Sequence, residues 1–384
     1  RLVSILDPAA PTSSVDLFYD GEGRLQTLRD VRGREVWFDH DSGTGLLTEI
    51  FLPDDNVIGY DYDADRNLTA VDYGGGQIKQ YLYHEAGLAL PRQKNHLTGI
   101  VSETGIRYAS FSYDSKDRVL SSTVHGTPAD TTTLNYDGPN HVTVTTAHEG
   151  TREYTFQPGI YRRPLSTIDS AGNSRKSYDL QGRLETETDK RNHVTRYAYD
   201  ASGYVSAVTQ AEDTPEQRRI EMDRAAATHL LTEHRIRDAA GVLKAKTAWT
   251  YNARNQVASV TVTDPADNAT RSIATTYCEA PDVSAANGAC PILGLVKTID
   301  GPRPGTLDVT TYQYRPADEA GCAASPETCA YRKGDLWKVV NASDHVTEIL
   351  AYDGAGRLKS AKDVNGVITD FEDSPRGWLT ARKV

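Results

Sequence analysis

Apolar and polar side chains alternate along much of this chain with a period of two. Leu184, Thr186 and Thr188 alternate with Arg183, Glu185 and Glu187, and Thr195, Tyr197 and Tyr199 alternate with Val194, Arg196 and Ala198. A strand places successive side chains on opposite faces, so the pattern predicts half-buried antiparallel strands. The runs are short: 24–29 and 183–188 hold about six residues each between punctuating turns, too few for an independent helix and the usual length of a strand. The chain therefore reads as all-β, a repetitive antiparallel meander of hairpins with roughly one strand every ten residues.

The punctuation repeats too. Tyr178-Asp179-Leu180-Gln181-Gly182-Arg183-Leu184 is followed, eleven residues after its Tyr, by Asp189-Lys190-Arg191-Asn192. Tyr19-Asp20-Gly21-Glu22-Gly23-Arg24-Leu25 leads in the same way to Asp30-Val31-Arg32-Gly33, and Tyr352-Asp353-Gly354-Ala355-Gly356-Arg357-Leu358 to Asp363-Val364-Asn365-Gly366. Looser copies occupy 62–68, 113–119, 199–205 and 251–257. A unit recurring every twenty or so residues signifies a repeat architecture. Within it, Asp at the first corner of a type I turn caps backbone N–H groups and Gly at the fourth accepts positive φ. Asp-x-x-Gly occurs ten times, against roughly three expected by chance at this composition. The structural turns expected from this spacing are Asp20 with Gly23, Asp30 with Gly33, Asp179 with Gly182, Asp200 with Gly203, Asp238 with Gly241, Asp353 with Gly356 and Asp363 with Gly366. At the Gly position of the Tyr-led copies Asp117 and Asn255 are tolerable substitutes, and Arg66 is the misfit.

On these motifs the chain resembles the Rhs or YD-repeat proteins, which include bacterial polymorphic toxins, the large subunits of insecticidal toxin complexes and the animal teneurins. The resemblance runs over nearly the whole chain. It implies a β-sheet strip that curves or spirals into part of a hollow shell, which in bacterial members encloses a C-terminal toxin. It implies no catalytic residue here: the Asp-Pro-x-Gly-rich core of the family's self-cleavage module has no counterpart, and neither a spike-docking domain nor a toxin domain is recognised.

Composition sharpens this. Tyr (21) outnumbers Phe (6), so many large rings carry a polar end that can face water, as a wall wetted on both sides requires. A net charge of −11 argues against nucleic acid as a partner. No apolar run is long enough to span a membrane as a helix. An array of repeats grows by stacking, so residues 1–384 are expected to form one continuous array, opening and closing inside a repeat. Phe38 to Leu47 reads as a copy stretched at its turn, and Thr131 to Thr146 as a hairpin with degenerate turn residues. Thr214-Pro215-Glu216-Gln217 has the form of a helix capping box. Strands are nevertheless expected through His229 and His234, because Asp238-Ala239-Ala240-Gly241 supplies the usual turn downstream.

A loop-rich insertion at about 276–335 carries Cys278, Cys290, Cys322 and Cys329. The spacings lack Cys-x-x-Cys knuckles. Disulfides within each local pair are the favoured reading for an exported protein, with a structural zinc and free thiols as the alternatives. Asp61, Asp63, Asp65 and Asp72 mimic a calcium loop, but Arg66 stands where that loop needs Gly, so a degenerate repeat turn is preferred. Gly74-Gly75-Gly76 reads as a hairpin tip rather than a phosphate loop. The scattered His form no catalytic constellation, and the repeated Asp and Tyr read as serving turns and cross-strand pairs rather than sugars. No catalytic, cofactor-binding or metal site is assigned. The expectation is a non-enzymatic shell segment of a secreted or surface-located Rhs-type toxin. Its partners would be the C-terminal effector of the same parent chain and a secretion-machine spike or chaperone. A surface adhesin that binds glycans through its repeats is the alternative.

Overall fold

The computed structural model describes residues 1–384 except 8–9, 127 and 285–289, and for residues 7 and 10–13 the backbone alone. Its described residues form thirty-one strands in a single sheet. Each strand pairs antiparallel with the next one in sequence, from Ser4–Asp7 to Leu379–Lys383, without a crossover. Helix among the described residues is limited to single turns at Ala280–Val283 and Pro326–Thr328.

The turn chemistry explains why the chain reverses so often. At Asp179 the Gly182 N–H donates to the Asp179 carbonyl (2.9 Å), closing the type I turn, and the Asp179 N–H donates to the Arg183 carbonyl (2.9 Å). The Asp179 carboxylate then accepts the N–H groups of Gln181 and Arg183. A type I turn closed by a left-handed residue forms a bulge, which accounts for the register shift between Ser177 and Tyr178. The same pair of backbone bonds is made at Asp20 with Gly23, Asp30 with Gly33, Asp200 with Gly203, Asp238 with Gly241, Asp353 with Gly356 and Asp363 with Gly366. The copy at Asp200 differs from the repeat in its next residue, where Tyr204 replaces the Arg. Gly203 nevertheless takes φ of 88°, its N–H donating to the Asp200 carbonyl at 3.0 Å, so the turn forms without the Arg. Arg66, Asp117 and Asn255 hold the left-handed conformation in their own copies, with φ of 67, 65 and 62°.

Phe38 to Leu47 is a hairpin closed by Gly45 N–H to Asp41 carbonyl, and Asp130–Gly138 pairs with His141–Thr146 around Pro139 and Asn140. Residues 214–234 contain strands Arg218–Arg224 and part of Leu231–Arg237. His229 departs from the sequence expectation: it sits at the turn between those strands with φ of 57°, its N–H donating to the Ala225 carbonyl. The capping-box residues close a turn instead of a helix, with Gln217 N–H on the Thr214 carbonyl. The irregular region near 276–335 is threaded by the sheet, since Val296–Asp300 and Thr310–Tyr314 are members of the ladder.

The strip curls. The turn between the third and fourth strands (Leu25–Arg29, Glu35–His40) touches the turn between the twenty-sixth and twenty-seventh (Thr310–Tyr314, Leu336–Val340), twenty-three strands further on. At the usual strand spacing one circuit is about 110 Å round, or about 35 Å across the backbone.

Candidate functional site: the two faces and the seam of the strip

Residues directly opposite one another in a ladder share a face, so the register sorts the whole sheet. On one face Leu17, Leu28 and Val36 are paired in a row, as are Phe38, Ile50 and Ile58. Tyr197, Val208, Ile220 and Ile236 form another row, and Trp249, Val260 and Ile273 a third. The opposite face is polar. Its neighbouring strands are bonded through hydroxyls, as in Thr155 with Ser166 (2.6 Å), Ser177 with Thr186 (2.7 Å) and Thr276 with Thr298 (2.6 Å). Many of its charges are paired: Arg235 takes carboxylates from Asp223, Glu233 and Glu221, and Glu348 sits between Lys338 and Lys362. Among the described residues no second layer covers the apolar face, and few side chains are fully buried.

The repeat Tyr has a role that cross-strand pairing did not anticipate. Its hydroxyl donates to a backbone carbonyl at the start of a strand in the preceding hairpin. Tyr199 reaches Leu184 (2.7 Å), Tyr251 Leu231 (2.6 Å), Tyr277 Val257 (2.8 Å), Tyr314 Val296 (2.7 Å) and Tyr352 Leu336 (2.8 Å). Tyr113, Tyr136 and Tyr178 do the same, and Tyr19 reaches the Leu2 carbonyl just ahead of the first strand. Burial pushes the Tyr352 phenol up to about 12. The repeat Arg links neighbours as well. Arg183 is anchored by Asp179 (2.7 Å) and lies over the ring of the next Tyr, Tyr199, at 4.4 Å. A Cβ at Gly182 would fall 2.1 Å from the guanidinium of Arg163, so a side chain there would displace that guanidinium as well as meet the demand of φ. At Gly203 the corresponding neighbour, Arg183, stands 4.0 Å off, and φ alone makes the demand there.

Where the strip meets itself, a polar seam joins opposite edges. Arg34 donates to Asp335 at 2.9 and 3.0 Å, and Arg32 donates to the Gly334 carbonyl at 3.1 Å. Further along, Arg357 pairs with Asp54 and Arg376 with Glu103, and Arg376 lies over Tyr73 at 4.4 Å. Backbone packs there too: a Cβ at Gly354 would lie 2.5 Å from the Pro53 carbonyl oxygen. Arg34 also takes the place over Gly356 that a repeat Arg holds elsewhere, because position 335 is Asp.

The cysteines stand beside this seam. Cys278 is bonded to Cys290 and Cys322 to Cys329. Cys278 and Cys290 form the buried cluster of the region with Tyr314, against which Leu295, Tyr312 and Leu336 pack. The loop of the second pair donates Arg332 N–H to Asp335 (2.7 Å), so it positions the carboxylate that Arg34 grips. The group of metal-ligating residue types found among the described residues is Glu319, Cys322 and Cys329, whose sulfurs are spent on the disulfide. The acids of the calcium-like stretch do not converge: Asp63 is held by Asn67, Asp65 by Lys94, and Asp72 accepts Gly74 N–H.

The RHS Repeat family profile matches residues 40–78 and 178–215. The fold is similar to that in the crystal structure of TcdB2-TccC3-TEV, at 14% identity and a TM-score of 0.62 over 95% of this chain and 20% of that one. It is likewise similar to that of TcdB2-TccC3-Cdc42, at 14% identity and 0.59 over 96% of this chain and 20% of that one. The chain thus spans about a fifth of the length of these structures, and the likeness is one of fold. No curated protein matches it in sequence.

Proposed function

We propose that this RHS-repeat chain is a length of shell wall whose apolar face lines a lumen and encloses a polypeptide cargo, the effector at the C-terminal end of a secreted toxin. The observation that carries the reading is the apolar face left without a second layer on a strip that closes on itself through the Arg34–Asp335 seam. Rows of uncovered apolar side chains are an aggregation hazard if they face bulk water. Curling it inward removes the hazard and creates a chamber in which a loosely folded chain finds apolar partners. The likeness of fold to the TcdB2-TccC3 structures supports the same architecture. On this reading the wall performs no chemistry. Release, export and delivery fall to the rest of the parent protein, with a secretion-machine spike or chaperone as external partner, and the site of action is outside the producing cell or at its surface.

The test places charge on each face of the full parent protein. Val208→Glu with Ile236→Glu is expected to expose the effector to protease, whereas Thr186→Glu with Ser177→Lys on the polar face leaves it protected. Equal protection in both variants, or an effector that stays protected when residues 1–384 are deleted, overturns the reading.

A further inference from the structure

The more polar face carries an aromatic row near the start of the strip. Phe18, Thr27, Trp37, Phe51 and Val57 are paired in a row across five strands, with three aromatic rings on it, whereas the apolar residues elsewhere on that face are aliphatic, such as Ile168, Val340, Val346 and Ile368. Thr27 is buried, but Phe18, Trp37 and Phe51 are 42, 48 and 40% exposed. Beside this row runs a second one, Asp39, Glu49, Gly59 and Asp72, again directly opposite on successive strands, with Asp61 two residues from Gly59 on the same face. No cation among the described residues forms an ion pair with any of these four acids. Asp39 and Glu49 face each other as like charges, an arrangement that costs stability. Gly59 leaves a gap in the row, and Trp37, Asp39 and Phe51 line a recess together with Gln26 and Phe38.

The near end of the same row shows what fits such a surface. Arg29 lies over the Phe18 ring at 5.2 Å and is bonded to Glu35, whose other oxygen accepts Trp37 Nε1 at 3.0 Å. Ring, guanidinium and carboxylate are all supplied there by the chain itself. At Trp37 and Phe51, with Asp39 and Glu49 alongside, the rings and carboxylates are present and the cation is not. The acids sit on different strands along a row, which suits several separate cations better than one metal ion.

We propose that this patch is a docking surface for a cationic polypeptide segment with apolar neighbours, laid across the strands so that its Lys or Arg side chains reach Asp39, Glu49, Asp61 and Asp72 while its apolar side chains cover Trp37 and Phe51. Charge complementarity selects that partner over an anionic membrane, and cation–π contact with Trp37 adds to it.

The experiment titrates the full chain with an alternating Lys-Leu octapeptide, using Glu-Leu and Lys-Ser octapeptides and a neutral oligosaccharide, chitohexaose, as comparisons. Lys-Leu is expected to bind best and to weaken steeply with salt. Asp39→Asn with Glu49→Gln is expected to weaken it about ten-fold while raising the melting temperature, because the cross-strand repulsion is relieved; a merely structural role predicts a lower one. Trp37→Ala weakens it as well, and Glu348→Gln, far along the strip, leaves it unchanged. Binding insensitive to the Asp39, Glu49 and Trp37 substitutions, equal binding of Glu-Leu, or chitohexaose binding that depends on Trp37 while Lys-Leu does not bind overturns the assignment.

Discussion

Arg34 and Asp335 are 301 residues apart in sequence and bonded twice, at 2.9 and 3.0 Å, with both side chains nearly buried. This contact converts a ribbon into a circuit. Breaking a buried pair leaves an uncompensated charge at a cost of about 3–5 kcal/mol. Asp335→Ala is therefore expected to loosen the seam, seen as faster proteolysis at turns 30–34 and 332–335 and a lower melting temperature. Arg34→Met combined with Asp335→Leu should recover part of the loss. A double-mutant cycle with no coupling between the two positions shows that the seam is not held there.

The turn glycines separate into two classes that one comparison distinguishes. Gly182 and Gly366 share positive φ (78 and 84°), but a Cβ at Gly182 meets Arg163 whereas at Gly366 it meets nothing within 4 Å. Gly366→Ala is expected to cost about 1 kcal/mol from backbone conformation alone. Gly182→Ala should cost more, since Arg163 must also move. At Arg66, which already holds φ of 67°, replacement by Gly is expected to be neutral or slightly stabilising. Chemical unfolding of the three variants gives the ranking.

The tyrosine bonds set an alkaline limit. The folded-state value of Tyr352 is raised by burial to about 12, and burial also raises Tyr113, Tyr199, Tyr277 and Tyr314. A group whose folded value is raised contributes stability that is complete below its unfolded value, about 10 for Tyr, and lost as pH climbs through the folded one. Stability should thus fall between about pH 10 and 12, and Tyr352→Phe should flatten that fall while lowering stability at pH 8. Carboxylates act in the opposite sense. Asp114 is held low first by the Arg118 N–H and Glu85 first by the Arg107 guanidinium, so their contribution is present above about pH 4 and is lost as pH falls through the lowered values.

Reduction is expected to act on the seam through the loop that carries Asp335. Cys322→Ser with Cys329→Ser should destabilise by about 2–4 kcal/mol, and hydrogen exchange should rise at residues 315–335 together with 30–34. Exchange confined to the first segment indicates that the loop and the seam are independent.

Much of this was legible because the turn chemistry is local. Asp179 and Gly182 dictate a reversal whatever lies elsewhere, and the period of two between turns leaves only strands. The tyrosine bonds were hidden, because linking Tyr199 to Leu184 needs the register between successive hairpins. The seam was hidden because it depends on accumulated curvature. Its trace in the sequence is a substitution: Asp335 precedes Leu336 where Arg24, Arg183 and Arg357 precede Leu in other copies. His229 was misplaced because a left-handed turn residue without Gly gives no local cue. The aromatic row of Phe18, Trp37 and Phe51 emerges only when the pairing of four strands is known.

Each of the nine tyrosine bonds described above points backward, from a residue to a carbonyl made earlier by the ribosome. Each new hairpin therefore finds its acceptor already in place on the nascent chain, and the wall can be laid down vectorially, in step with synthesis, through neighbour contacts alone. The circuit through this pair closes only when Asp335 emerges to meet Arg34, some three hundred codons after the edge it completes was translated. During that interval the apolar face of this circuit is open.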